Sequence, residues 1–143
     1  MQTTEQLTQI FNDNFVAYYR SHTAHVNIVG RNFYSDHKLL QKVYESLQDE
    51  IDTIAELLRT LDAFMPIEIQ DVLNQSHITT GQFDGDSDYF IAGVMDDLEH
   101  LKAEYEVLIR YSEDDGHDEI ANYAQDRVLA LGKQIWMLKS TLE

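Results

Sequence analysis

An all-α fold, a four-helix bundle, is what this sequence predicts, on three observations. Glycine occurs six times and proline once in 143 residues, too few for a turn-rich all-β domain. Apolar residues return at three- and four-residue steps through four long stretches, the spacing of a buried helix face. Two of the connections between those stretches are short and one is long. Short connections make neighbouring helices antiparallel, and the long one has the reach to cross a bundle from end to end.

The first stretch covers about residues 5–29, with Leu7, Ile10, Phe11, Phe15 and Tyr18 on one stripe. Gly30 ends it, and a short connection offers Ser35 or Asp36 as N-cap. The second runs over about 37–61, where Leu40, Val43, Leu47, Ile51, Ile54, Leu58 and Leu61 keep a heptad-like step until Pro66 breaks it. Residues 67–75 read as a short extra helix, with Pro66 suited to its beginning. Residues 76–87 are polar and hold two glycines, so they read as loop. A third long helix follows over about 88–111, carrying Ile91, Val94, Met95, Leu98, Leu101, Tyr105 and Leu108. After an acidic link the fourth spans about 119–142, with Ile120, Tyr123, Val128, Leu131, Ile135 and Leu138. Two hairpins joined by one long crossover, with a short helix in it, is the ferritin-like connectivity of a four-helix bundle. Residues 1–143 read as a single domain of this kind.

Composition excludes several function classes. Cysteine is absent, so there is no disulfide framework, no thiolate metal site and no thiol nucleophile. Ten Lys and Arg stand against 26 Asp and Glu, a formal net charge of -16. Nucleic-acid binding draws its affinity from cations that neutralise phosphates, and no basic residue precedes Arg20, so DNA binding is not expected. No run approaches the ~18 apolar residues of a membrane span, and no basic-then-apolar leader is visible. The expectation is a soluble, cytoplasmic protein with no membrane partner.

Bundles of this connectivity often hold a metal pair on Glu and Glu-x-x-His motifs. No Glu-x-x-His occurs here. The nearest variant is Asp97-x-x-His100 on the third helix, without a counterpart on the others, so a di-iron centre inside the bundle is not expected. A second constellation carries more. His25 lies near the end of the first helix and His37 opens the second, which also carries Gln41, Asp52 and Glu56. At 3.6 residues per turn the last four fall within a sector of about 100°. His37 and Asp52 are nevertheless about 22 Å apart along the axis, so they do not share an ion within one chain. If two copies of the second helix lie antiparallel across a two-fold axis, His37 of one approaches Asp52 and Glu56 of the other, and His25 joins from the neighbouring helix end. The result is a mixed imidazole and carboxylate site between subunits, suited to Fe(II), Mn(II) or Zn(II).

The stretch from His22 to Leu61 resembles the signature of the Dps proteins, the mini-ferritins. That family's motif is His, eleven residues, His, three residues, Asp, ten residues, Asp, three residues, Glu. Here the positions are His25, His37, Gln41, Asp52 and Glu56, and four of the five ligand types match. DTIAE matches the second half closely, and the ending QIWMLKSTLE, with Trp136, is also similar. The resemblance runs from about Leu7 to Glu143. It implies a hollow dodecamer built from two-fold dimers. Iron would be oxidised from Fe(II) to Fe(III) between two-fold-related subunits by peroxide or dioxygen, and stored as mineral, protecting against oxidative stress. On this reading His25, His37, Asp52 and Glu56 are the catalytic and metal-ligating residues of a ferroxidase, and Zn(II) or Mn(II) could substitute. The resemblance also places carboxylate-lined three-fold pores near the acidic link, with Asp114 and Asp118 as candidates. Many members coat DNA through basic tails, which this chain lacks.

Two departures bear on activity. Gln41 stands where the family has Asp, and a neutral carboxamide is a poorer iron ligand than a carboxylate. Val26 stands where the family has a tryptophan near the centre. The alternative reading is therefore a shell with an impaired centre, acting as a metal-sequestering or structural protein. His22 is expected to be solvated. Glu113, Asp114, Asp115, Asp118 and Glu119 read most simply as a solvated link, and Trp136 and the tyrosines as core or interface residues rather than redox relays.

Overall fold

A computed structural model of the chain describes residues 1–79 and 86–143. Among them are five helices and no strand: α1 (Gln2–Asn27), α2 (Phe33–Thr60), α3 (Ile69–Gln75), α4 (Ser87–Asp114) and α5 (Asp118–Leu142). The polar loop expected after residue 75 lies partly outside the described residues. No helix among them is long and apolar enough to cross a membrane.

The predicted apolar stripes are the core. Leu7, Ile10 and Phe11 of α1 meet Leu40, Val43, Leu47, Ile54 and Leu58 of α2. Ile91, Val94, Leu98, Leu101, Tyr105 and Leu108 of α4 and Ile120, Leu131 and Leu138 of α5 complete it. Cross-helix bonds report the directions. Asn14 donates to the Leu47 carbonyl at 2.8 Å while the rings of His25 and His37 stack, so α1 and α2 run antiparallel. Gln6 donates to the Glu104 carbonyl at 2.9 Å and Arg20 pairs with Asp97 at 2.7 Å, so α1 and α4 are antiparallel as well. These bonds also occupy polar groups that burial would otherwise leave bare. On the far side, the Tyr123 hydroxyl donates to Glu50 at 2.5 Å, tying α5 to α2.

Several helix ends differ from expectation for local reasons. Gly30 takes φ +121°, a conformation costly for residues with a Cβ, and lets the chain turn as soon as α1 ends. The Phe33 N–H then bonds the Gly30 carbonyl at 3.1 Å, and α2 starts four residues early with Asn32 as N-cap. Neither Ser35 nor Asp36 caps it. Ser35 donates to the Asn32 carbonyl, and Asp36 is buried inside the first turn, where burial and the nearby Asp88 carboxylate push its acid group up. Pro66 does not open α3, which begins at Ile69. Its ring holds the preceding residue extended, and the helix forms later, where Val72 reaches the core.

The acidic link is shorter than predicted. Glu113 and Asp114 belong to α4, Asp118 and Glu119 to α5, and only Asp115–His117 connect them. Gly116 at φ +81° makes this possible: its N–H bonds the Glu113 carbonyl and the His117 N–H reaches back to Ser112 at 2.7 Å. That pair of bonds is the Schellman ending of a helix. Asp115 is not free in solvent, because it accepts from the Thr3 N–H and hydroxyl at 3.0 and 2.6 Å, which hold its carboxyl below the usual range.

The same ending closes α2 with a poorer residue. The Asp62 and Ala63 N–H groups bond the Arg59 and Leu58 carbonyls, and Asp62 sits at φ +60°. A side chain in this left-handed conformation costs energy that glycine avoids. Asp62→Gly is expected to raise the unfolding free energy by about 0.5–1 kcal/mol, read as a shift in the urea midpoint at constant slope. An unchanged or lower midpoint would show that the turn carries no such strain.

Candidate metal centre

The end of α1 and the start of α2 hold the two predicted imidazoles against each other. The rings of His25 and His37 stack with centroids 3.7 Å apart and planes 16° from parallel. Each Nδ1 lies 2.7 Å from the backbone carbonyl oxygen of the other residue. A carbonyl only accepts, so Nδ1 carries the proton in both rings and, in the neutral form, each lone pair is on Nε2. A metal-binding imidazole is ordinarily oriented by just such a bond from its other nitrogen. Burial, which disfavours the charged ring, holds His25 below the ordinary imidazole range despite its bond to the His37 carbonyl. It is therefore uncharged and ready to donate its lone pair near neutral pH.

Aromatic neighbours keep the pair in place. Phe33 stacks on His37 at 4.9 Å, and Tyr44 lies 5.0 Å from His25. His22, expected to be solvated, is half-buried and stacks on Tyr44 at 4.2 Å with planes 2° apart. Val26, by contrast, is exposed at the end of α1.

Asp52 and Glu56 lie exposed one turn apart on α2. A hydrogen bond from Glu56 to Asp52 and the Asp52 charge raise the Glu56 acid group above its ordinary value. Two like charges on one turn repel, which favours the protonated form of Glu56; a cation would relieve the same repulsion. Because α2 is one unbroken helix, Asp52 is about 22 Å and Glu56 about 28 Å from His37 along its axis. The structure thus brings the imidazoles together and the carboxylates together, but not one pair to the other within the chain. Gln41 turns its amide toward Glu45, donating to it at 2.8 Å. Asp114 and Asp118 are exposed on either side of the α4–α5 turn.

Residues 4–143 match the family model of the ferritin-like domain. The DNA protection during starvation protein of Helicobacter pylori is 28% identical over 145 residues, with 99% of each chain covered. A Dps protein from Bacillus brevis superposes with a TM-score of 0.94 over 99% of this chain and 95% of that one, at 22% identity, a likeness of fold. The chain belongs to the ferritin-like family. Two further relatives are more alike in sequence. Antigen TpF1 of Treponema pallidum is 32% identical over 143 residues, covering 97% of this chain and 79% of the relative. The crystal structure of Helicobacter cinaedi CAIP has a TM-score of 0.92 at 32% identity, with 99% of both chains covered. The helix order and directions that the sequence predicted are thus those of the Dps fold.

One group of ligand-type side chains was not foreseen. Asp13, His77, His100 and Glu104 converge within this single chain. The two members of Asp97-x-x-His100 go separate ways: Asp97 is engaged by Arg20, whereas His100 faces Asp13 of α1 and Glu104 of its own helix. The signal was available in two places. Asp13 lies in a polar run, Asn12–Asn14, that interrupts the apolar stripe of α1, and Glu104 stands among Leu101, Tyr105 and Leu108. Both acids share one proton. Burial and the Asp13 charge push Glu104 up to about 10, while hydrogen bonds from Glu104, Ser76, His77 and Gln9 hold Asp13 low against its own burial.

Proposed function

We propose that this chain is the subunit of an iron-oxidising, iron-storing shell, a dodecamer built from two-fold dimers. Fe(II) and peroxide, or dioxygen, are its substrates. His25 and His37 of one subunit take the ferrous ion through Nε2, and Asp52 and Glu56 of a two-fold partner neutralise it. With peroxide, two Fe(II) each give up one electron, the O–O bond breaks, and two protons complete two waters. Ferric product then collects on the acidic interior. Zn(II) or Mn(II) would occupy the same ligands without this turnover.

The observation that carries the reading is the reciprocal clasp of the two imidazoles. It commits both Nδ1 protons to backbone carbonyls and leaves Nε2 as the remaining ring nitrogen of each member of one stacked pair. Assembly is supported by apolar surface left open on the chain. Phe64, Met65 and Ile67 are largely exposed beside Ala55, Glu56 and Arg59. A cleft of about 490 Å³ lies between α1 and α3, lined by Phe15, Tyr19, Ile69 and Leu73. Contiguous apolar surface of this kind marks protein contacts. Carboxylates at the α4–α5 turn, Asp114 and Asp118 among them, would draw cations to a pore by their field. DNA coating has no support, since ten cations face 26 acids.

The direct test adds Fe(II) and peroxide to the assembled protein and follows ferric absorbance. A rise well above the protein-free rate is expected, and a rate equal to it would end the proposal. The second reading, a sequestering shell with a weakened centre, has Gln41 in its favour, because that amide is committed to Glu45. Gln41→Asp restores a charged oxygen donor and is expected to speed oxidation by roughly tenfold. An unaltered rate would show that position 41 does not limit the centre.

A further inference from the structure

We propose that Asp13, His77, His100 and Glu104 form a second, mononuclear metal site, complete within one chain and suited to a divalent ion of borderline softness, Zn(II) first. The four candidate ligand atoms all lie within 4.8 Å of one another. A regular tetrahedron with ligand bonds of about 2.1 Å has edges of about 3.4 Å. His100 Nε2 is 3.3 Å from Asp13 Oδ2 and 3.5 Å from Glu104 Oε1, and His77 Nδ1 is 3.9 Å from Glu104 Oε2. The two His100 spacings are within about 0.1 Å of that edge, and the His77 spacing is about 0.5 Å longer. Two imidazoles and two carboxylates are a donor set that zinc accepts, and once the ion displaces the proton the two acids share, two negative charges match one divalent cation.

A second observation points to a ligand. Glu104 is 8% exposed, and its Oε1 has no hydrogen-bond partner. Buried polar atoms are rarely left so. This oxygen faces His100, inside the cluster. Asp13 is fully buried and already oriented: its Oδ1 accepts from the Ser76 hydroxyl and the His77 N–H at 2.7 and 2.6 Å, while its Oδ2 accepts from the Gln9 amide at 3.2 Å and lies 3.3 Å from His100 Nε2. The Asp13 carboxylate is thus fixed from below, and the more exposed imidazoles close the site from the solvent side. Its occupation joins α1, α4 and the segment after α3 through one ion.

The site is tested in a His37→Ala background, which disables the intersubunit centre. Co(II), whose visible absorption reports tetrahedral coordination, is the probe, with Zn(II) as competitor. One Co(II) per chain is expected, displaced by Zn(II), with Zn(II) raising Tm by about 5–10 °C. Adding His77→Ala or His100→Ala is expected to weaken binding by roughly tenfold or more, with helix content unchanged by circular dichroism. If His100→Ala fails to fold, the exposed His77 decides. Absence of Co(II) and Zn(II) binding in the His37→Ala protein, or binding that both further substitutions leave intact, overturns the proposal. Failure of the intersubunit reading shows separately, as equal metal binding by the parent and His37→Ala.

Discussion

Replacing His37 and Glu56 together with alanine is expected to slow peroxide-driven Fe(II) oxidation by roughly a hundredfold or more. His37 supplies one of the two Nε2 donors and also the carbonyl that orients His25, although the backbone carbonyl survives the substitution. Glu56 supplies half of the carboxylate pair. A two-fold arrangement gives this experiment a sharper form. When a His37→Ala chain pairs with a Glu56→Ala chain, one of the two sites collects both defects and the other collects neither. Random co-assembly of the two variants should therefore recover about a quarter of the parent rate per chain, although each alone is slow. Recovery would place the ligands on two chains. A double variant as fast as the parent, or no recovery from mixed shells, would show that the reaction occurs elsewhere.

Arg20→Ala should cost about 3–5 kcal/mol of stability at neutral pH. Arg20 Nε contacts Asp97 Oδ2 at 2.7 Å, and the two side chains are only 11% and 9% exposed. Removing the guanidinium strands a carboxylate between α1 and α4. Even in the parent, burial raises the Asp97 acid group above its ordinary value and outweighs the opposing pull of Arg20. Without Arg20 it rises further. A group with a raised folded-state pKa lends its full stability below the unfolded value and loses it as pH climbs through the folded value. Acidification from pH 7 toward the ordinary carboxylate range should therefore recover part of the deficit relative to the parent. Urea unfolding at matched protein concentration measures both effects. A loss under about 1 kcal/mol at pH 7, or a deficit that widens in acid, would contradict this account.

The fold was legible because its information is local and periodic. Leu40, Val43, Leu47, Ile54 and Leu58 recur on one side of α2, and all five are buried. Connection lengths then left little choice of topology. Helix ends were harder to read. A helix stops where backbone conformation and capping bonds decide, so Gly30 and Gly116 outweighed the nominal N-caps and the acidic run. His22 and Tyr44 stack because two helices meet there, a contact that neither local pattern records.

By itself the sequence determined the helices, the crossover, the face that His37, Asp52 and Glu56 share, and the negative charge that weighs against nucleic acid. Each depends on spacing along one chain. Only the tertiary structure decided which nitrogen of His25 and His37 carries the proton, because that follows from carbonyl oxygens twelve residues away. It also decided that Asp13, His77, His100 and Glu104 meet. They come from α1, the segment after α3, and α4, and only packing brings three such segments to one point.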